Sequence, residues 1–279
     1  MNYGWLKNTA RVIVFFLLHR FNYYKITSVY KILNLNKKML NKIHHCLRNI
    51  YRKARLVLKI ILKREVYIPV QKKIDKEYLG SAEYGGWYIH PNILDKKSLI
   101  YSFGIGEDIS FDLDLIKKFG CRVYAFDPTP KSLKWLEKQK LPPEFFYYDY
   151  GIGNYDGQAK FFPPKNPKHV SHSMIPKNNS KNKPIKVQVY KLQSILNKIG
   201  HQEIDLLKMD IEGAEYKVLE NILKSKIKIR QILVEFHHRF PRVSPMQTKN
   251  IIKKLNNYGY KIFAVSPSRE EYSFIKTNR

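Results

Sequence analysis

The first 64 residues of this chain contain no aspartate or glutamate, although they hold fifteen lysines and arginines. An acid-free segment of this kind cannot balance its own charge. It points to an anionic partner, either a membrane surface or a nucleic acid. Cysteine is nearly absent as well. Cys46 and Cys121 form neither a disulfide framework nor a zinc-binding spacing, which fits a reducing compartment. Long hydrophobic runs are missing too. The longest, Val12 to Leu18, has seven residues, against the roughly 20 needed to span a bilayer. Aromatics and lysines follow that run where a secretory signal would need small residues, so a cleaved signal is not expected. No internal repeat is evident.

What is present suffices for a packed core. Of 279 residues, 44% are hydrophobic and 14% aromatic, which excludes global disorder. The net charge is +28. Residues 5–20 read as a short apolar helix. Residues 36–64 read as a longer amphipathic one, with apolar positions at Met39, Ile43, Cys46/Leu47, Ile50, Ala54, Val57/Leu58 and Ile61. A basic amphipathic helix suits either a membrane interface or packing on a main domain. Residues 65–98 look irregular, and the domain boundary is expected near residue 80, giving a basic helical extension (1–80) and a main domain (81–279).

From residue 98 the text alternates strand and helix. Strands are expected at 98–104, 122–127, 144–149, 185–190, 204–209 and 230–236, with a final pair at 259–265 and 272–276. Helices are expected at 109–120, about 130–139, 192–199, 213–224 and 246–256. A hairpin-like stretch, GIGNYDGQAKFF, and a loop over 163–184 interrupt the series. This alternation implies an α/β fold, doubly wound, with a mostly parallel sheet.

In such folds ligands bind outside the carboxyl ends of the strands. After the first strand comes SFGIGEDISFD. Gly104 and Gly106 permit a tight turn, but Ile109 stands where a dinucleotide fingerprint needs its third glycine. After the second strand comes Asp127, 21 residues beyond Gly106, where an acid can hold a ribose diol. The alternative for Asp127 is a turn-forming Asp-Pro. Asp149 ends the third strand, placed either for an adenine amino group or for capping the next turn. The stretch DLLKMDIEGAEYKVLE puts Asp210 at a strand tip, with Glu212 and Glu215 suited to the first helical turn. QILVEFHH brings Glu235 and His237 to the same edge. His169, Ser171 and His172 lie in the long loop. Two glycines and a ribose acid suit S-adenosylmethionine better than a nicotinamide cofactor.

The stretches YSFGIGEDISFD, VYAFDPTP, DLLKMDIEGAEYKVL and ILVEFHH resemble the signatures of the FkbM-type methyltransferase family over roughly residues 80–265. The resemblance implies a Rossmann-like, seven-stranded O-methyltransferase using S-adenosylmethionine. It implies that Gly104 and Gly106 face the methionine part, that Asp127 holds the ribose and that Asp210 lies near the methyl group. Two mechanisms are then open. His237 acts as general base, with Asp210 and Glu235 beside it. Alternatively, Asp210, Glu212 or Glu235 holds magnesium or manganese as a Lewis acid.

The acceptor is expected to be a glycan, a glycolipid precursor or a related metabolite. The location expected is the cytoplasm, with residues 1–64 on the inner face of a membrane. The alternatives are ribose methylation of RNA, with the basic segment gripping phosphates, and a non-catalytic binding module of the same fold. Base methylation is disfavoured, because Asp-Ile-Glu-Gly stands where an Asn/Asp-Pro-Pro-Tyr/Phe run would be expected.

Overall fold

The computed structural model describes residues 37–62, 65–81, 85–164, 173, 183–240 and 243–277. The chain divides into two compact units, Met1–Arg64 and Glu65–Arg279. The expected helix over 5–20 and the histidines of the 163–184 loop lie outside the described residues. In the first unit, helix α1 (Lys37–Ile61) confirms the amphipathic reading. Ile50, Val57, Leu58 and Ile61 are all exposed, and with Ala54 they fall on one stripe at helical spacing. Among the described residues, no helix is long and apolar enough to cross a membrane.

The second unit begins at Glu65, not near residue 80. Val66 is fully buried in its core. Gln71 is tied to Ile262 through both its backbone N–H and its side chain. The segment 65–98 also contains more structure than its sequence suggests. Strands β1 (Glu77–Leu79) and β2 (Trp87–Ile89) pair antiparallel across a turn containing Gly85, and a 3-10 turn covers Pro91–Ile93. Three-residue strands are too short to leave a readable period.

The main sheet has seven strands: β3 (Leu99–Phe103), β4 (Arg122–Phe126), β5 (Phe145–Tyr148), β9 (Glu203–Met209), β10 (Lys228–Glu235), β11 (Tyr260–Val265) and β12 (Glu271–Lys276). Their order is β11-β12-β10-β9-β3-β4-β5, all parallel except β12, which runs antiparallel to both neighbours. Both faces are buried, so the central strands read as apolar runs. Alternation divides them. Tyr101, Phe103, Leu207, Met209, Ile232 and Val234 point to one face, covered by helices α4 (Leu192–Ile199), α5 (Glu215–Ser225) and α6 (Pro245–Asn257). Ile100, Leu206 and Leu233 point to the other, covered by α2 (Ser110–Phe119), α3 (Pro130–Leu136) and the β1–β2 pair.

Two expectations fail in the insertion between β5 and α4. GIGNYDGQAKFF does not close on itself. Strand β8 (Ile185–Tyr190) lies between β6 (Gly151–Ile152) and β7 (Gly157–Phe161). Nor does 185–190 join the main sheet. Val187 and Val189 pack with Ala159 in a small core of their own, and this apolar pairing selects the three-stranded arrangement.

Glu65 anchors the start of the second unit. Its fully buried carboxylate meets His238, the Val66 N–H and, at 2.9 Å, the Arg239 guanidinium. Burial alone would raise its pKa, but the bonds from His238 and Val66 and the charges of His238 and Arg239 hold it below the usual carboxylate value. A depressed folded-state pKa stabilises the fold above the unfolded value of about 4.3, and that contribution is lost as pH falls through the folded value. Glu65→Gln should therefore be destabilised at pH 7. The gap to wild type in urea midpoint should shrink as pH is lowered below about 4. A gap independent of pH would contradict this.

Candidate functional site

Register builds the site. Phe103 of β3 is aligned with Phe126 of β4 and with Met209 of β9, and Met209 is aligned with Val234 of β10. The residues that follow are Asp127, Gly104, Asp210 and Glu235. They therefore form one row along the carboxyl edge, and β12 extends it by pairing Glu271 with Glu235. All five line one cleft of about 630 Å³.

At one end of the cleft, Gly104 and Gly106 both have positive φ, +77° and +55°. Gly104 answers to close packing. A β-carbon there would stand 1.8 Å from the carbonyl oxygen of Asp210. Asp127 is 5% exposed, and both of its oxygens are engaged. One oxygen accepts from the Thr129 N–H and hydroxyl at 2.9 and 2.7 Å, forming a turn. The other accepts from the Gly106 N–H at 3.0 Å, clamping the glycine loop against the tip of β4. Asp149 does not join them. It is exposed and does not line the cleft, because β5 is an edge strand whose tip leads out into β6.

The other end is a carboxylate–imidazole cluster. Glu215, fully buried at the start of α5, was expected to offset the helix dipole. It does more: one oxygen accepts from Gly213 N at 3.0 Å, from Ile211 N at 3.3 Å, and from His237 Nδ1 at 2.8 Å. Glu212 lies outside the helix with φ +54°, a left-handed conformation that costs a residue with a β-carbon about 1–2 kcal/mol. There it faces the cleft. His237 Nε2 is 3.6 Å from Asp210, 3.7 Å from Glu212 and 3.7 Å from Glu235. Asp210, Glu235 and His237 thus converge as anticipated; Glu212, expected in the first helical turn, joins them from outside the helix, and Glu215 is the member that sequence reasoning assigned to capping alone.

The charges interact strongly. Burial raises Asp210 to about 6, with His237 and Lys208 opposing and Glu212 and Glu215 reinforcing. Burial and the charge of Asp210 raise Glu235 to about 9. Burial would lower His237, but Glu215, Asp210 and Glu235 outweigh it and lift the ring well above its usual value. Acids therefore face the imidazole on both of its nitrogens. Its ring is 5% exposed and lies behind Asp210, Glu212 and Glu235, which line the cleft themselves. His237, expected as the general base, does not itself line the cleft. These three carboxylates line the cleft, and His237 stands behind them.

The Methyltransferase FkbM domain description matches residues 89–262. The chain belongs to the FkbM methyltransferase family. Among curated proteins it is similar to probable methyltransferase-like protein 24 of Homo sapiens, 34% identical over 152 residues, covering 53% of this chain and 35% of that protein. The same protein of Rattus norvegicus is 29% identical over 182 residues, covering 61% and 44%. The chain thus spans less than half the length of these relatives. Among solved structures, the Methanococcus jannaschii fibrillarin pre-rRNA processing protein aligns with TM-score 0.40 at 13% identity, covering 77% of this chain and 88% of that one. Aeropyrum pernix fibrillarin in complex with S-adenosyl-L-methionine aligns with TM-score 0.37 at 12% identity, covering 75% and 84%.

This FkbM domain also holds cleft residues that sequence reasoning missed. Lys208, inside the apolar run of β9, is buried and donates to the Gly104 carbonyl at 2.6 Å. Asp112 of α2 is buried near it, and burial raises its carboxyl to about 6. The signal was available: a lysine in a strand buried on both faces needs a partner. Trp87 of β2, in the aromatic stretch EYGGWYI, also lines the cleft. Gly104→Ala combines the clash with Asp210 and the unfavourable φ. It should lose on the order of 2–5 kcal/mol of stability, measurable by thermal unfolding. Unchanged stability would mean that the two loops can separate freely.

Proposed function

We propose that this chain transfers a methyl group from S-adenosylmethionine to a hydroxyl of a glycan, glycolipid precursor or related metabolite, on the cytoplasmic face of a membrane. The carrying observation is the single cleft whose glycine–Asp127 end runs into the carboxylate end. Asp127 fits a ribose diol, because its carboxylate lines the cleft and is already oriented by Gly106 and Thr129. Gly104 and Gly106 form the adjoining turn and let the backbone approach the cofactor closely. When bound, the cofactor supplies an electrophilic methyl group on a sulfonium sulfur.

Asp210, Glu212 and Glu235 accept hydrogen bonds from acceptor hydroxyls and orient the reacting oxygen. As the new carbon–oxygen bond forms and the carbon–sulfur bond breaks, the hydroxyl proton passes to the Asp210 carboxylate. His237 stays behind them, fixed by Glu215. Several hydrogen-bond acceptors on one wall of the cleft suit a polyhydroxylated acceptor such as a sugar. An acid-lined end also disfavours the phosphate backbone of RNA, and so many intact carboxylates disfavour a purely structural module.

The membrane reading rests on α1 and its basic, acid-free segment. An apolar stripe beside lysines and arginines suits an anionic lipid interface. In sedimentation with anionic vesicles, the full chain should bind, and added salt should weaken binding. Ile50→Asp combined with Ile61→Asp should release it. Equal binding by the double variant would refute the membrane role.

For the chemistry, Asp210→Asn and Glu235→Gln should each lower methyl transfer to glycan and lipid extracts by about 10²–10⁴-fold, with cofactor affinity within about two-fold of wild type. Asp127→Ala should instead weaken cofactor binding, read by calorimetry. Wild-type turnover in Asp210→Asn, or full cofactor affinity in Asp127→Ala, would overturn the assignment.

A further inference from the structure

The two nitrogens of His237 meet their neighbours very differently. Nδ1 sits 2.8 Å from Glu215 Oε1, an ordinary hydrogen bond. Nε2 faces three carboxylates, and none closes to hydrogen-bond length; they stand at 3.6, 3.7 and 3.7 Å. A ring 5% exposed thus aims Nε2 into the cluster. Asp210 Oδ1 is buried there without a hydrogen-bond partner.

These separations are those of ligands around a common centre. Atoms each about 2.1 Å from an ion lie about 3.0 Å apart at right angles and about 4.2 Å apart when opposite. Single ligand atoms of Asp210, Glu212 and His237 all fall within 4.8 Å of one another. Inward movement of a few tenths of an ångström closes such a set. The fixed element is already built: Glu215 grips Nδ1, which orients Nε2 and raises its basicity, as carboxylates do behind metal-bound histidines. Glu215 is itself held by the backbone N–H groups of Ile211 and Gly213, on the loop that carries Asp210 and Glu212. One buried carboxylate therefore positions all three candidate ligands.

We propose that Asp210, Glu212 and His237 bind one divalent cation, with Glu235 at its edge and Glu215 as the positioning residue. Carboxylates with one imidazole favour manganese over magnesium, since imidazole is a poor ligand for the harder ion. The remaining coordination positions face the cleft, where water or an acceptor hydroxyl completes the shell. A hydroxyl bound there becomes more acidic, and its proton passes to Glu235 as the oxygen attacks the methyl carbon. The role of the ion rests on the methyl-transfer reading; its binding does not.

The experiment uses the full, metal-stripped chain and Mn²⁺ alone, followed by electron paramagnetic resonance and calorimetry. One Mn²⁺ per chain is expected. Asp210→Asn and His237→Gln should each weaken binding by at least about ten-fold, and Glu215→Gln by about 10–100-fold, with thermal unfolding confirming that each variant is folded. Glu220→Gln, on the exposed side of α5, should bind as wild type does. No binding at millimolar Mn²⁺, or equal binding in Asp210→Asn and His237→Gln, would overturn the proposal. Cofactor affinity is measured separately on the stripped protein. Cofactor binding without Mn²⁺ binding removes the ion and leaves the methyltransferase reading intact. Mn²⁺ binding without cofactor binding does the reverse.

Discussion

The contact between Glu215 and His237 organises the active end of this protein. It joins the start of α5 to the exit of β10, and through Ile211 and Gly213 it also grips the loop leaving β9. Two adjacent strand tips are thereby locked in a fixed relation. Removing such a carboxylate would release the imidazole and two backbone donors together, leaving buried polar groups without partners. Strand register sets Asp210 beside Glu235, and this clamp sets His237 and the loop carrying Glu212 against them.

A second constraint ties this end to the other. Gly104 packs so closely on Asp210 that no side chain fits between the loops of β3 and β9. Asp127 then fixes the same β3 loop to β4 through Gly106. Three neighbouring loops are consequently linked by short, specific contacts, from Asp127 to the carboxylate cluster. A group-transfer site needs this kind of rigidity, because small errors in the spacing of donor and acceptor are expensive in rate. The arrangement sits on strand ends rather than on long mobile loops, which is how the sheet supplies precision.

Most of the sheet could be read from the sequence, because strands buried on both faces leave apolar runs, and glycines and acids punctuate their ends. The row Asp127, Gly104, Asp210 and Glu235 was legible for the same reason: parallel strands in register place their next residues side by side. What failed was non-local or short. The pairing of β8 between β6 and β7 depends on contacts distant in sequence. The role of Glu215 was hidden because a first-turn acid has a sufficient local explanation in the helix dipole. Its His237 partner lies 22 residues away. The base role given to His237 could not be tested by type and position alone. It depends on how many acids surround the ring and which of them reach the cleft, and neither is visible before the strands are assembled.

The domain boundary shows a signal that was present and under-read. Glu65 is the first acid in the chain and also the first residue of the second compact unit. Irregular text up to residue 98 suggested a later boundary, whereas charge marked the true one. The physical reason lies in what each unit must avoid. The first unit keeps its full positive charge because it holds no acids that would neutralise nearby lysines. The second unit needs acids in its cleft, and at Glu65 it needs one to secure His238 and Arg239 against the core. Electrostatic forces are screened beyond about 8 Å at physiological salt, so opposite charge requirements coexist in one chain only if they are segregated. In this sequence, the segregation begins where the second unit does.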